Sequence, residues 1–264
     1  MKRARYSAPV ALVTGAGSGI GRATAIELAG RGYLVALLDR DERGIAETES
    51  VITATGGEVE PIPCDVTDVA RVATVLKAFT DKSKRLDAVA ACAGIEVLGD
   101  VLTLEETEWK RALDVNVTGV FNTAKHTLPY LLDGGGAFVA VASDAGVFGA
   151  QGYSAYVASK HAVVGLIRCM ALDFGPRGVR SNVVCPSFVE TPMADRIFAA
   201  SSSEDYDFYQ AIVPLGRFAQ AREVAQVIAH LLSAEASYTN GLVYNIDGGS
   251  TAGYFRAETA SSGK

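Results

Sequence analysis

Short apolar runs alternate with longer amphipathic stretches from near residue 9 to near residue 250, and this alternation limits the folds open to the chain more than any other feature. The apolar runs are residues 10–14, 34–38, 59–63, 88–91, 137–141, 179–184 and 242–246. Most are unbroken by polar residues, the pattern of strands covered on both faces. Residues 21–31, 42–55, 69–82, 105–132, 154–174 and 222–234 carry helical spacing instead. A strand–helix repeat of this length predicts about seven parallel strands in one doubly wound α/β sheet, with helices on both faces and a single domain over residues 1–264. Breakers agree: Gly134-Gly135-Gly136 precedes one strand and Gly175-Pro176 ends one helix. Residues 191–214 stand apart, with a serine triplet and an acidic–aromatic stretch between two regular elements. Loops that follow strand C-termini line the ligand crevice in such sheets, so this segment is expected to be a substrate lid. The polar tail, residues 257–264, is expected to fray.

Composition excludes several partner classes. Hydrophobic residues make up 49% and charged residues 20%, ordinary for a globular protein. A net charge of −6 offers no electrostatic case for nucleic acid or an anionic membrane. No apolar run approaches the roughly 18–20 residues needed to span a bilayer. The apolar stretch at residues 10–13 is too short for a signal-peptide core and reads as a strand. Cys64, Cys92, Cys169 and Cys185 are widely separated with no CxxC pair, so no metal site or disulfide framework is expected. The expectation is a cytoplasmic protein with reduced thiols.

The first strand runs into Thr14-Gly15-Ala16-Gly17-Ser18-Gly19-Ile20-Gly21, and a helix opens behind it. Glycines let backbone approach a pyrophosphate, and the helix N-terminus offers free N–H groups and a positive dipole end. Any strand-to-helix turn can use glycine, but here Asp39 follows at the end of the second strand, 18 positions after Gly21. That combination is a Rossmann-type dinucleotide site. Asp39 would accept hydrogen bonds from the adenosine ribose hydroxyls and repel a 2′-phosphate, although it could equally cap the next helix. Arg40 could instead pair with a 2′-phosphate. Asp39 comes first and Ala16, Gly17 and Ser18 supply no second cation, so NAD is expected over NADP.

Tyr156 and Lys160 stand four residues apart in a helical stretch, on one face and one turn apart. A phenol near its reference pKa of about 10 is a poor base at neutral pH, and a neighbouring ammonium would lower that value. Ser143 follows a strand 13 positions earlier, where its hydroxyl could meet a substrate oxygen. Asn116 falls inside the 105–132 helix, an unfavourable place for asparagine unless its side chain or a local kink has a use. Each residue alone is more often structural; together, behind a dinucleotide loop, they suggest a site.

At this point the chain resembles the short-chain dehydrogenases/reductases, over nearly its whole length. The TGxxxGxG loop is Thr14 to Gly21, the Asp-Val pair after the third strand is Asp65-Val66, and the YxxxK pair is Tyr156 and Lys160. The family's PG-x-V-x-T segment appears as Pro186-Ser187-Phe188-Val189-Glu190-Thr191, and Asp247-Gly248-Gly249 closes the pattern. The resemblance implies Tyr156 as acid/base and Lys160 as its pKa partner and a ligand of the nicotinamide ribose. It implies Ser143 orienting the substrate oxygen, Asn116 holding a water-mediated relay, and hydride passing between nicotinamide C4 and a secondary alcohol or ketone carbon. Gly15, Ser18, Gly19, Ile20, Gly21, Asp39 and Arg40 would hold the cofactor on one side. Asp65 would meet the adenine, with Val66 beside it, and the backbone of Ala93 and Gly94 would contact the ribose. Pro186, Val189 and Thr191 would hold the carboxamide end.

Two departures stand out. The family's Asn-Asn-Ala-Gly is Ala91-Cys92-Ala93-Gly94, which removes two side-chain amides, and Ser187 replaces a glycine. Cys92 reads as a small core residue. Ser143, Phe148, Gly149, Tyr153, Ser187, Phe188 and Met193 are candidates to line a mostly apolar substrate pocket, which suits a neutral alcohol or ketone better than an anion. Relatives of this kind are commonly homotetramers, or homodimers, that pair the two long helices. Two other readings remain: an NADPH-dependent 3-ketoacyl reductase if Arg40 outweighs Asp39, and a non-catalytic NAD-binding regulator. The second is disfavoured because Asn116, Ser143, Tyr156 and Lys160 are all kept.

Overall fold

A computed structural model describes residues 8–199 and 203–255. The expected tail at 257–264 and positions 200–202 of the expected lid lie outside the described residues. In chain order the elements are β1 (Val10–Thr14), α1 (Gly19–Gly30), β2 (Leu34–Asp39), α2 (Glu42–Ala54), β3 (Val59–Pro63), α3 (Val69–Ser83) and β4 (Ala88–Ala91). There follow α4 (Glu106–Leu113), α5 (Gly119–Gly134), β5 (Gly136–Val141), α6 (Ser154–Phe174), β6 (Val179–Pro186) and β7 (Val189–Glu190). The last are α7 (Pro192–Ala199), α8 (Ser203–Ala211), β8 (Ala219–Gln220), α9 (Ala221–Leu232) and β9 (Val243–Ile246). Seven strands form one parallel sheet in the order β3-β2-β1-β4-β5-β6-β9. The order reverses between β1 and β4, and a crevice opens beyond the C-terminal ends of strands at such a switch point.

Alternate residues of each strand face opposite sides, so the sheet has two cores. Leu12, Phe138 and Val183 face α3, α5 and α6 through Leu76, Leu131 and Ile167. Val13, Leu37 and Val139 face α1, α2 and α9 through Leu28, Ile52 and Ile228. Burial of both faces is why the five inner strands read as apolar runs, whereas the edge strands β3 and β9 are only partly covered.

Three expectations need correction. The helix expected over 105–132 is two helices joined by a π-helical turn, Asp114–Thr118, that contains Asn116. Such bulges widen the helix by a residue and re-aim side chains. The 191–214 segment is not irregular: it holds the short helices α7 and α8, and a two-stranded pairing of β7 with β8 ties its base to the chain ahead of α9. Finally, Ser154–Arg177 is long and apolar enough to cross a bilayer by length and composition, with mean hydropathy 1.2. Its apolarity comes from packing instead: Ala155, Val163, Ile167 and Met170 are buried against the rest of the molecule.

Candidate active site

The glycine loop turns because its backbone must. Gly15 (φ +69°) and Gly19 (φ +50°) occupy the left-handed region, and a Cβ on Gly15 would lie 2.9 Å from the Ala93 backbone. A Cβ on Gly21 would sit 2.0 Å from the Gly15 carbonyl oxygen. Ser18 precedes α1 without a side-chain cap, and the first turn carries no acidic residue, so the N-terminal N–H groups and dipole are open to an anion. Ile20 packs toward the sheet. Gly19 also approaches Thr191, whose Cγ2 would be 3.3 Å from an added Cβ, which brings the segment after β7 to the loop.

Asp39 ends β2 with its carboxylate pinned on both oxygens: the Gly17 amide donates to Oδ2 and the Asp41 amide to Oδ1, each at 2.9 Å. Arg40 leans away from it, 3.7 Å from Asp65 Oδ2, with its side chain 65% exposed. Asp65 also accepts from the amide and hydroxyl of Thr67. Arg40, Asp65, Thr67, Asp114 and Val115 line one shallow pocket. Sequence reasoning saw no second cation near the loop, yet Arg22, one turn into α1, donates to Gly17 O and is paired with Glu47 at 2.8 Å. Asn122 was also missed; its Nδ2 donates to Val66 O at 2.9 Å and holds the Asp-Val turn.

The four catalytic candidates converge where β4 and β5 end. Asn116 projects from the π-helical turn, accepts from Ile95 N (2.8 Å), and donates to Ile95 O and Ser159 Oγ (both 2.9 Å). A helix-interior asparagine is thus explained by a local kink with a purpose. An added Cβ at Gly94 would lie 3.3 Å from both Asn116 Oδ1 and Lys160 Nζ. Lys160 is buried and donates to Val141 O at 3.1 Å, with its Nζ 5.4 Å from the Tyr156 ring centroid. Burial lowers the Lys160 amine to about 8. Tyr156 is moved above the ordinary phenol range by burial, against the opposing pull of a hydrogen bond to Ser143. That is opposite to the expected fall: in the protein alone desolvation, aided by the charges of Glu96 and Asp144, outweighs the hydrogen bond, and the Lys160 ammonium is itself pushed toward its neutral form. Ser143 closes β5 with its Oγ donating to Asp144 Oδ1 at 2.8 Å.

The departures from the family pattern settle into the structure. Thr14 Oγ1 accepts from Ala93 N at 3.2 Å, so a neighbouring strand steadies the Ala91-Cys92-Ala93-Gly94 turn in place of asparagine side chains. Burial drives the Cys92 thiol up to about 12, which makes it unreactive. Ser187 N donates to Ile246 O. Phe188 faces α7 and α8 rather than standing alone, with ring centroids 4.7 Å from Tyr209, 5.3 Å from Phe218 and 5.8 Å from Phe198. Tyr153 stands edge-on to Tyr156 at 6.3 Å. Met193 is half-buried on α7, whereas Phe148 and Gly149 lie exposed at the rim. Glu96 and Asp144, two acids beside the site, were missed; each follows the C-terminal end of a strand at the switch-point crevice, the one signal that could have found them. Gly248 and Gly249 have positive φ, and an added Cβ would strike Val213 at 2.6 Å or Pro214 at 3.1 Å, so the Asp-Gly-Gly close braces the end of the 191–214 segment.

Comparison with known proteins adds four findings. Residues 15–251 match the family model described as enoyl-(acyl carrier protein) reductase. The chain is 35% identical to a 3-oxoacyl-(acyl-carrier-protein) reductase of Thermotoga maritima, with 93% of this chain and 98% of that protein aligned. It is 37% identical to the meso-2,3-butanediol dehydrogenase of Serratia marcescens, over 94% of this chain and 96% of that protein. Among solved structures, levodione reductase superposes with a TM-score of 0.90 at 34% identity, covering 95% of this chain and all of that one.

Proposed function

The chain belongs to the short-chain dehydrogenase/reductase family, and from that premise we propose an NAD-dependent oxidoreductase that interconverts secondary alcohols and ketones with Tyr156 as general acid/base. The observation that carries this reading is the convergence of Asn116, Ser143, Tyr156 and Lys160 at the strand ends beside the glycine loop. The loop fits a dinucleotide: Gly15 and Gly21 form a cradle that side chains would fill, and Asp39 waits at the end of β2. Gly15, Ser18, Gly19, Ile20 and Gly21 would hold the pyrophosphate and Asp39 the ribose. Asp65 and Val66 would flank the adenine, with Ala93, Gly94 and Lys160 at the second ribose and Pro186, Val189 and Thr191 at the nicotinamide. When bound, the nicotinamide accepts or donates the hydride.

The chain's own residues then manage oxygen and proton. Tyr156 takes the proton of an alcohol, or returns it to a ketone oxygen. Ser143 holds the same oxygen and hydrogen-bonds the tyrosine. The positive charge of an oxidised nicotinamide, held by these residues, would favour the Tyr156 phenolate and so lower the pKa that burial raises in the protein alone. Asn116 fixes the Ile95 backbone and Ser159 next to Lys160, a position suited to steadying a proton relay.

NAD is favoured by the pinned Asp39 carboxylate and by Arg40 turning to Asp65. Tyr153, Phe148, Phe188 and Met193 suit a neutral substrate, as do the names of the butanediol and levodione relatives, and residues 191–214 would cover it as a lid. Oxidation is the favoured direction with NAD. A second reading, an NADPH-dependent 3-oxoacyl reductase, draws on the exposed Arg40 and on the Thermotoga relative. Four free cysteines support a cytoplasmic setting. Exposed Trp109 and Phe121 on α4 and α5 and Leu172 on α6 support a homotetramer. An NADH-absorbance assay across alcohols and ketones with both cofactors tests the reading, with Tyr156→Phe as its control. Turnover must vanish in the variant while cofactor binding persists; near-normal turnover would refute the assignment.

A further inference from the structure

Glu96 stands just beyond β4, one residue after Ile95, whose N–H and C=O are both clamped by Asn116. Its carboxyl takes a hydrogen bond from Tyr153, and the Tyr153 and Tyr156 rings meet edge-on at 6.3 Å. Tyr153 also shares a hydrogen bond with Tyr209 of α8. The acid is therefore fixed between the catalytic tyrosine and the aromatic cluster beneath α7 and α8. Its Oε2 is buried and has no hydrogen-bond partner among the described residues. Burial pushes the group up to about 7, against the pull of Tyr153, Lys160 and Arg196.

A buried acceptor without a donor costs stability, and the cost is recovered when a ligand brings the donor. Sites built around such a group reject analogues that lack the matching hydroxyl far more strongly than sites lined by carbon. We propose that Glu96 is a specificity-determining residue that accepts a hydrogen bond from a second hydroxyl of the substrate, so that diols and hydroxyketones are preferred over simple monoalcohols. The inference rests on the oxidoreductase reading above and sharpens its substrate class. A cationic amine could also donate, but Lys160 and Arg196 already bear on this carboxyl and would repel it. A neutral hydroxyl meets no such penalty.

The test compares trans-cyclohexane-1,2-diol with cyclohexanol in the wild type, Glu96→Leu and Glu96→Gln. The diol-to-monoalcohol ratio of kcat/KM should fall about tenfold or more in Glu96→Leu, mostly through the diol KM. Glu96→Gln keeps the shape and one acceptor oxygen, so it guards against misfolding, and its ratio should lie between the other two. An unchanged ratio in both variants overturns the assignment. A second readout needs no turnover: with NADH present, the diol should raise the wild-type melting temperature more than cyclohexanol does, and the difference should disappear in Glu96→Leu. Equal stabilisation by the two alcohols in the wild type also overturns it. A wild type that turns over no alcohol or ketone with either cofactor refutes the oxidoreductase reading alone, and the melting comparison then decides the role of Glu96 by itself.

Discussion

Ser143 Oγ donates a 2.8 Å hydrogen bond to Asp144 Oδ1, so while Asp144 is ionised the serine next to Tyr156 must give up that bond before it can donate to a carbonyl oxygen. Burial raises Asp144 to about 6, helped by the nearby charge of Asp247 and opposed by Ser143 and the Ala145 amide; Tyr156 and Cys185 also face it. As pH falls through that value the neutral acid releases the serine proton to donate to a carbonyl oxygen. Ketone reduction should therefore show a step upward in kcat/KM below about pH 6, and Asp144→Ala should lose the step. A pH–rate profile checks this; an identical step in the variant would contradict it.

Lys160 trades stability for function. Its folded-state value of about 8 lies below the ordinary 10.5, so the folded protein binds this proton more weakly than the unfolded chain does. At neutral pH the buried ammonium therefore costs stability, and the cost shrinks as pH rises from 8 toward 10.5. Lys160→Met should abolish turnover yet raise the melting temperature at pH 7 by roughly 2–6 °C, with a smaller gain at higher pH. Calorimetry at two pH values decides; a variant less stable than wild type at pH 7 would show that the bond to Val141 O outweighs desolvation.

In the proposed reading Asp39 selects the cofactor, with its carboxylate oriented by the Gly17 and Asp41 amides. Asp39→Ser should lower kcat/KM for NAD by about 10- to 100-fold, the loss of hydrogen bonds to a charged acceptor, and narrow the gap to NADP. Steady-state kinetics with both cofactors measures the switch. Equal use of NAD and NADP by the wild type would favour the reductase reading instead.

Asn116 binds three groups from a π-helical turn, and its loss strands the Ile95 amide and carbonyl, while the Ser159 hydroxyl keeps its bond to Tyr156 O. Asn116→Ala should cost about 2–4 kcal/mol of folding stability, from buried groups left unpaired, and lower kcat as the Ile95 loop shifts. Urea denaturation and kinetics together check it. Full stability in the variant would mean that water replaces the amide.

Much of this was legible in the chain. Val10 to Thr14 reads as a buried strand because both faces of a parallel sheet are covered, and the same rule found all seven strands of the main sheet. The Tyr156–Lys160 pair was legible because helical spacing alone puts positions four apart on one face. The break at Asp114–Thr118 was not: a π-helical turn leaves the apolar spacing of 105–132 almost intact, and only the misplaced asparagine hinted at it. Helices α7 and α8 escaped because both are short and their aromatics, Phe198 and Tyr206 among them, gather with Phe188 and Phe218 from several elements.

The sequence by itself determined the layering, the glycine loop behind the first strand and the placing of Tyr156 and Lys160 on one helix face. Each follows from periodicity or from backbone limits that act over a few residues, whereas the grouping of these two with Asn116 and Ser143 came from the family resemblance. Only the tertiary structure decided that Arg40 turns to Asp65, that burial drives Tyr156 up and Lys160 down, and that Ser143 is already claimed by Asp144. It alone brought Glu96 to Tyr153 with one oxygen unpaired among the described residues. These are matters of desolvation and of charges brought together from distant positions, and neither quantity exists until the chain has folded.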